Sequence, residues 1–347
     1  MTTAFSTLPI VDVGVLSEVQ PKAQDVLVLT QKLYDVFTTV GFAYLVNAPL
    51  TFTHADIFGL ASDFFRLEET EKLRLATKTS VPSNSNTYRG YFPFQPGCDS
   101  LKEGFEIGPA QTPGRSAFGK TQRYDLTEPN VWPAGASFHD GRVKLERLHA
   151  ELQKLASTLL LMLGITLGKP ADYFAPYLLE SLSTLRLLHY PPQESTETEV
   201  AAIKLCCTPH TDSGILTLLH QDQTGGLEVL NAEGRWIAAP YVPGSIVVNI
   251  GDLMARVSGG RFVATMHRVR TSPGKGTRKD GLGRFSVPFF FEPGEACLIR
   301  SIDGGEGVVY GEYVRRKMGT WLEYQSSPTQ EPDATIAVSA GIVKVAS

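Results

Sequence analysis

Three residues of this chain have types and spacing that suit metal chemistry. Two lie in Thr208-Pro209-His210-Thr211-Asp212-Ser213-Gly214, and the third is His267 in Ala264-Thr265-Met266-His267-Arg268-Val269. His210 and Asp212 sit two apart, so on an extended segment both side chains leave the same face. A further 54 residues separate Asp212 from His267. Two imidazoles and one carboxylate leave about three of six positions open around a ferrous ion, as in the facial triad of non-haem Fe(II) oxygenases. Open positions let O2 and an organic co-reactant reach the same ion.

A lone His-x-Asp is weak evidence, because a turn aspartate beside a core histidine gives the same pattern. A second motif strengthens it. Arg284-Phe285-Ser286 follows His267 by 17 positions and opens the strand-forming run Val287-Pro288-Phe289-Phe290-Phe291. Arg284 and Ser286 share one face of that strand. A guanidinium fork beside a hydroxyl suits a carboxylate held in a dry pocket by charge-assisted hydrogen bonds. The three motifs in this order form a strong joint signal.

With these residues in place, the sequence resembles the isopenicillin N synthase-like Fe(II)/2-oxoglutarate-dependent dioxygenases over most of its length. Leu8-Pro9-Ile10-Val11-Asp12 is similar to the family's N-terminal strand, and Gly41-Phe42-Ala43-Tyr44-Leu45-Val46-Asn47 to the segment after its first long helix. Ala48-Pro49 replaces the usual His-Gly there. Arg89-Gly90-Tyr91, Asn249-Ile250-Gly251-Asp252-Leu253 and Phe291-Glu292-Pro293 continue the match. Within the family, Leu185-Arg186-Leu187-Leu188-His189-Tyr190-Pro191 and Lys102-Glu103-Gly104-Phe105-Glu106-Ile107-Gly108 resemble small-molecule hydroxylases of the thymine 7-hydroxylase type.

Composition agrees with an enzyme. The 347 residues, 42% hydrophobic and 20% charged, suffice for a substantial core. The net charge of −4, with no basic run, argues against nucleic acid and anionic membranes as partners. No apolar stretch reaches the ~18–20 residues that span a bilayer, and the N-terminus lacks a signal-peptide pattern. Cys98, Cys206, Cys207 and Cys297 form neither a disulfide framework nor a Cys-x-x-Cys pair, which fits a reducing cytoplasmic setting. All four are expected as buried or partly buried thiols.

Periodicity places these motifs on elements. Helices are predicted over Lys22–Val40, His54–Phe65 and Phe138–Gly168, with a helical turn at Glu68–Lys72 and loop from Ser80 to Gly97. The apolar face of the long helix includes Val143, Leu145, Leu148, Leu152, Leu155, Leu159, Met162 and Leu163. From Ser181 onward short strands alternate with turns: Thr184–Tyr190, Ile215–Gln221, Leu227–Leu230, Trp236–Ala238, Ile246–Ile250, Val263–Arg270, Arg284–Phe291 and Ala296–Leu298. Eight short strands suggest a mainly β protein with flanking helices, its core a double-stranded β-helix, the cupin-like jelly roll. Helix returns at Tyr313–Tyr324, and a loose tail is expected beyond Ser326. The chain then divides into an N-terminal helical region 1–135, a support helix 136–180, a catalytic core 181–300 and a C-terminal helix and tail 301–347, all within one structural unit. A monomer is expected.

The resemblance implies roles for residues. Fe(II) would bind His210, Asp212 and His267. 2-Oxoglutarate would chelate the iron, with its far carboxylate held by Arg284, Ser286 and Tyr190. O2 would be the oxidant, and a small molecule would be hydroxylated with release of succinate and CO2. Desaturation, cyclisation or demethylation stay open, as does a role in nucleobase salvage or secondary metabolism. In Thr184–Tyr190 the even positions Thr184, Arg186, Leu188 and Tyr190 share a face, and Arg284, Ser286, Pro288 and Phe290 do so in the last core strand. Arg186 and Phe290 are therefore the expected substrate contacts, Arg186 hinting at an anionic or carbonyl-bearing molecule. Leu188 replaces an asparagine of many plant members. Ser213 replaces an aromatic residue that encloses a planar base, which argues for something bulkier than thymine. His54, His139, His149, His189 and His220 are expected to be structural, as is Asp252. The same motifs also fit a 2-oxoglutarate-independent oxidase of this fold or a non-catalytic cupin-like binding protein. A zinc hydrolase lacks an evident carboxylate base.

Overall fold

The computed structural model describes residues 2–95, 101–111, 122–134, 138–192, 205–270, 281–321 and 324. Cys98 and the tail beyond Ser326 lie outside the described residues. In the N-terminal part, β1 (Ile10–Asp12) precedes α1 (Ala23–Thr39), β2 (Phe42–Val46), α2 (His54–Phe65), α3 (Glu69–Leu73), β3 (Gly90–Phe92) and β4 (Glu103–Ile107). The middle carries α4 (His139–Thr166) and α5 (Ala175–Leu178). Then come β5 (Thr184–Tyr190), β6 (Leu205–His210), β7 (Leu216–Gln221), β8 (Leu227–Leu230), β9 (Trp236–Ala238), β10 (Ile246–Ile250) and α6 (Asp252–Val257). The chain continues through β11 (His267–Arg270), β12 (Arg284–Phe291), β13 (Leu298–Ile299), β14 (Val308–Val309) and α7 (Tyr310–Met318).

These strands form an eight-stranded sheet in the order β1-β2-β10-β7-β12-β5-β4-β3 and a four-stranded sheet in the order β6-β11-β8-β9. Four strands of the large sheet come from the N-terminal part, so that part shares one ladder with β5, β7, β10 and β12. Local chemistry explains the joins. α1 buries Leu29, Leu33 and Phe37, one turn apart. Gly41, at φ +74°, ends it, and its N–H bonds the Val36 carbonyl. A side chain there would collide with the Val263 carbonyl, so only glycine lets the chain pass directly into β2. α2 starts on a capping box: Thr53 Oγ1 accepts from Asp56 N at 3.2 Å, while Asp56 Oδ2 accepts from Thr53 N at 2.8 Å.

Two apolar layers result. Helices α1, α2 and α4 pack on the outer face of the large sheet, where Leu145, Leu148, Leu152, Leu155 and Leu159 of α4 are buried. Fully burying each leucine contributes roughly 1.5–3 kcal/mol. A second cluster fills the space between the sheets, including Phe42, Tyr44, Leu188, Tyr190, Val229, Val247 and Val269.

Several expectations need correction. Ser80–Gly97 is not all loop, since β3 lies within it, and β4 and β6 are strands that periodicity did not single out. β6 carries Pro209, which breaks the strand signal although its edge position tolerates proline. The stretch Val263–Arg270 is strand only from His267, and β13 is shifted to Leu298–Ile299. α7 starts three residues before Tyr313 and stops at Met318. Val143 is 54% exposed, because the buried stripe of α4 begins only at Leu145.

Candidate metal and substrate site

The two histidines meet because β6 and β11 pair antiparallel in a register that sets His267 opposite His210. Their ring centroids are 4.2 Å apart. The ladder slips between His267 and Val269, an irregularity of the kind that re-aims side chains beside active sites. Asp212 lies just past the end of β6. Its Oδ1 is 3.7 Å from His210 Nε2 and 3.6 Å from His267 Nε2, and one ligand atom from each residue falls within 4.8 Å of the others.

Everything around these atoms turns them inward. His210 Nδ1 lies 2.8 Å from the Thr208 carbonyl and His267 Nδ1 3.2 Å from that of Thr265, so each ring donates from Nδ1 and keeps the Nε2 lone pair for a metal. Asp212 Oδ2 accepts from Thr217 Oγ1 of β7 at 2.5 Å and from Asn249 Nδ2 of β10 at 2.8 Å, which leaves Oδ1 facing the imidazoles. Burial alone would raise the Asp212 pKa, but His267, His210, Asn249 and Thr217 together hold it below the usual carboxylate range. Burial pushes His267 down to about 4, so that imidazole is neutral and ready to coordinate. Against the effect of burial, Cys207 and Asp212 lift His210 to about 9, so a metal binding there displaces a proton. Two imidazoles and an oriented carboxylate fit a ferrous ion. Residue types and spacing single out these three candidate ligands but not Thr217, and Asn249 enters there only as part of a resemblance. No local signal marks a carboxylate's partner on another strand.

The ligand loop is held from behind by the start of α6. Asp252 N donates to the Asp212 carbonyl at 2.7 Å, Leu253 N to Gly214 O at 3.1 Å and Gly251 N to Ile215 O at 3.0 Å. A Cβ on Gly251 would collide with the Gly214 carbonyl and stand 3.1 Å from that of Asp212. Gly251→Ala is therefore expected to displace Asp212. It should weaken Fe(II) binding about 10- to 100-fold and lower stability by about 1–3 kcal/mol. An anaerobic iron titration together with a thermal melt checks both. The Asp252 side chain itself pairs with Lys317 at 3.2 Å.

Arg284, at the start of β12, is 5% exposed and lies opposite Tyr190 in the β12–β5 register. Its Nε donates to Gly225 O at 2.8 Å and its Nη1 to Ser286 Oγ at 3.3 Å, with its guanidinium carbon 4.7 Å from the Tyr190 ring centre. Gly225, at φ +73°, forms the turn whose carbonyl meets it. The structure thus brings Arg284, Ser286 and Tyr190 together. Leu188 is buried beside Tyr190 in the inter-sheet cluster rather than in the cavity wall.

A cavity of about 310 Å³ opens at the metal ligands. His210, Asp212, Ser213, Arg186 and Phe290 all line it, and so do Glu106 and Glu292. Arg186 forms an ion pair with Glu106 of the neighbouring strand, and its guanidinium carbon lies 5.3 Å from the Phe290 ring and 5.9 Å from that of Phe92. The arginine expected to hint at an anionic or carbonyl-bearing molecule thus already has a carboxylate partner. The two glutamates put carboxylates on the wall of this cavity that the spacing of residues in the sequence did not single out. Strand parity could have found Glu292, the next even position after Phe290. The remaining histidines fall elsewhere: His189 bonds Glu103 and Leu282 O, His149 bonds Ser183 O, and His54 bonds Ser245 O beside His220. Cys206 is buried, and Cys207 and Cys297 are half-buried free thiols.

A fold with an oriented His/Asp/His set between two sheets defines a non-haem iron oxygenase class, and comparison with known proteins agrees. Residues 181–293 match the 2OG-Fe(II) oxygenase superfamily, and residues 8–135 match the N-terminal region of non-haem dioxygenases in morphine synthesis. A 2-oxoglutarate-Fe(II) type oxidoreductase of Aspergillus fumigatus is 31% identical, over 86% of this chain and 87% of that protein. The homoarginine-6-hydroxylase of Oryza sativa is 30% identical over 92% and 99%. The solved structure of full-length Neurospora crassa T7H with alpha-KG and 5-formyluracil superposes with a TM-score of 0.75 at 27% identity, covering 92% of this chain and 98% of that one. The chain belongs to the 2OG-Fe(II) oxygenase superfamily. It is a 2-oxoglutarate-dependent dioxygenase, an oxidoreductase that uses iron and 2-oxoglutarate to oxidise a small molecule.

Proposed function

We propose that His210, Asp212 and His267 hold the ferrous ion, that Arg284, Ser286 and Tyr190 hold the far carboxylate of 2-oxoglutarate, and that the prime substrate is hydroxylated in the 310 Å³ cavity against Arg186 and Phe290. The observation that carries this reading is the cross-strand His210–His267 pair with Asp212 Oδ1 between them. Bound iron supplies O2 activation coupled to decarboxylation of the keto acid. The chain supplies position and dryness. Thr217 and Asn249 fix the carboxylate oxygen that faces the metal, and Phe42, edge-on to His267 at 5.3 Å, keeps water from that ring. The Arg284 fork neutralises a carboxylate that burial would otherwise destabilise. Phe290 and the Arg186–Glu106 pair bound the space where a C–H bond is presented.

The two facing sheets are read as a double-stranded β-helix, with residues 1–135, 136–180, 181–300 and 301–347 acting as one structural unit. The shared eight-stranded sheet supports this. We place the enzyme in the cytoplasm as a monomer. No helix among the described residues is long and apolar enough to cross a membrane.

The experiment is an anaerobic titration of the metal-free protein with Fe(II) and then 2-oxoglutarate. A visible charge-transfer absorption is expected only when both are present, and succinate release on admitting O2. Absence of the band in the presence of both overturns the residue assignment, and a 2-oxoglutarate-independent product overturns the co-substrate role. Size-exclusion chromatography tests the monomer.

A further inference from the structure

Glu292 follows directly on β12 and is 5% exposed, yet it faces the cavity that contains His210 and Asp212. Its backbone is pinned: the N–H donates to Ser183 Oγ at 3.0 Å, and the carbonyl accepts from Ser181 Oγ at 2.6 Å. The carboxyl reaches Tyr310 through one oxygen, and its Oε2 has no hydrogen-bond partner among the described residues. A buried acceptor left without a donor is costly, so the fold holds this oxygen open against its own stability. Two other charged groups of this cavity wall pair with each other, Glu106 with Arg186. Arg89, fully buried behind the wall, bonds the Leu182 carbonyl through Nη2, and its Nε and Nη1 have no hydrogen-bond partner among the described residues.

Aromatic side chains complete this end of the cavity, with Tyr88, Trp321 and Tyr324 on its wall together with Phe290. Ring faces stack on planar amides and attract ammonium groups. A nitrogen donor therefore uses both features, the open carboxyl oxygen and the rings, whereas an alcohol uses chiefly the first. A carboxylate or phosphate would bring negative charge against Glu292. We propose that Glu292 is a specificity-determining residue that accepts a hydrogen bond from a nitrogen-bound hydrogen of the substrate, so that this dioxygenase acts on small amines or N–H amides. The inference rests on the assignment of the iron and 2-oxoglutarate sites above. It agrees with the effect of burial and of Glu106 on the carboxyl, which lift it to about 7 against the pull of Tyr310 and both arginines. Such a group gains most from a donor that satisfies it.

The test uses the Fe(II)- and 2-oxoglutarate-loaded protein under nitrogen, titrated calorimetrically with piperidine, 2-piperidinone, cyclohexanol and cyclohexanecarboxylate. At least one nitrogen probe should bind on the order of 10-fold tighter than the alcohol and the acid. Whether piperidine or 2-piperidinone leads decides between ammonium and amide. In Glu292→Leu that preference should disappear. Glu292→Gln, which keeps a hydrogen bond to Tyr310, should weaken piperidine about 10-fold while its thermal midpoint stays level or rises. A residue kept only for structure would show a drop in midpoint and no change in preference. Equal binding of all probes, tighter binding of the acid, no binding of either nitrogen probe, or unchanged preference in both variants overturns the proposal. Failure of the wild type to bind 2-oxoglutarate overturns the underlying site assignment instead. Intact 2-oxoglutarate binding without nitrogen preference removes only the role of Glu292.

Discussion

Asp212→Asn is expected to weaken ferrous binding by more than about 100-fold, beyond what loss of an outer partner alone costs, and to abolish succinate release. The carboxylate has two separate duties here. Oδ2 is committed to Thr217 and Asn249, and Oδ1 faces the two imidazoles. An asparagine has one oxygen for both. With its oxygen toward Thr217 and Asn249, it presents an N–H group, without a lone pair, to the metal. Turned around, it offers the metal a neutral oxygen and sets its N–H against the Asn249 amide, which must reverse. The fold should survive, because shape and volume are unchanged. Anaerobic titration with Fe(II), with a thermal melt as control, gives the answer. A variant that binds iron as the wild type does would remove Asp212 from the ligand set.

Arg284→Leu should leave iron binding intact and raise the Kd of 2-oxoglutarate. The loss corresponds to the 2–5 kcal/mol typical of deleting one partner of a buried charge pair, or roughly 30- to 4,000-fold. The guanidinium is buried, is aimed by Gly225 O and Ser286 Oγ, and lies against Tyr190. Without it the far carboxylate would enter a dry pocket unpaired. Arg284→Lys keeps the charge but not the planar fork, so it should fall between the two. Ser286→Ala should cost about 1 kcal/mol, the worth of one hydrogen bond. Titration of each iron-loaded variant with 2-oxoglutarate measures the series. An Arg284→Leu enzyme with wild-type affinity would place the co-substrate elsewhere.

Features that depend on neighbours along the chain are legible in the order of residues alone. His210 and Asp212 two apart, Arg284 and Ser286 two apart, and the face shared by Arg186, Leu188 and Tyr190 follow from the two-residue strand repeat, and β5, β8, β9, β10 and β12 have the bounds that repeat gives. The same parity carried one position further reaches Glu292. Helix spacing likewise placed α1, α2 and α4, though it assigned Val143 to a buried face that begins only at Leu145.

Only the tertiary structure decided which strand lies beside which. The β6–β11 register that sets His210 against His267 joins residues 57 positions apart, and the grip of Thr217 and Asn249 on Asp212 reaches across from the other sheet. The pairing of Arg186 with Glu106, which turns a solitary cation into a neutral pair, comes from β4 lying beside β5. Local periodicity reports which way a side chain points. What it meets there is set by packing between segments remote in sequence, where burial makes each unpaired charge or polar atom costly and so selects its partner.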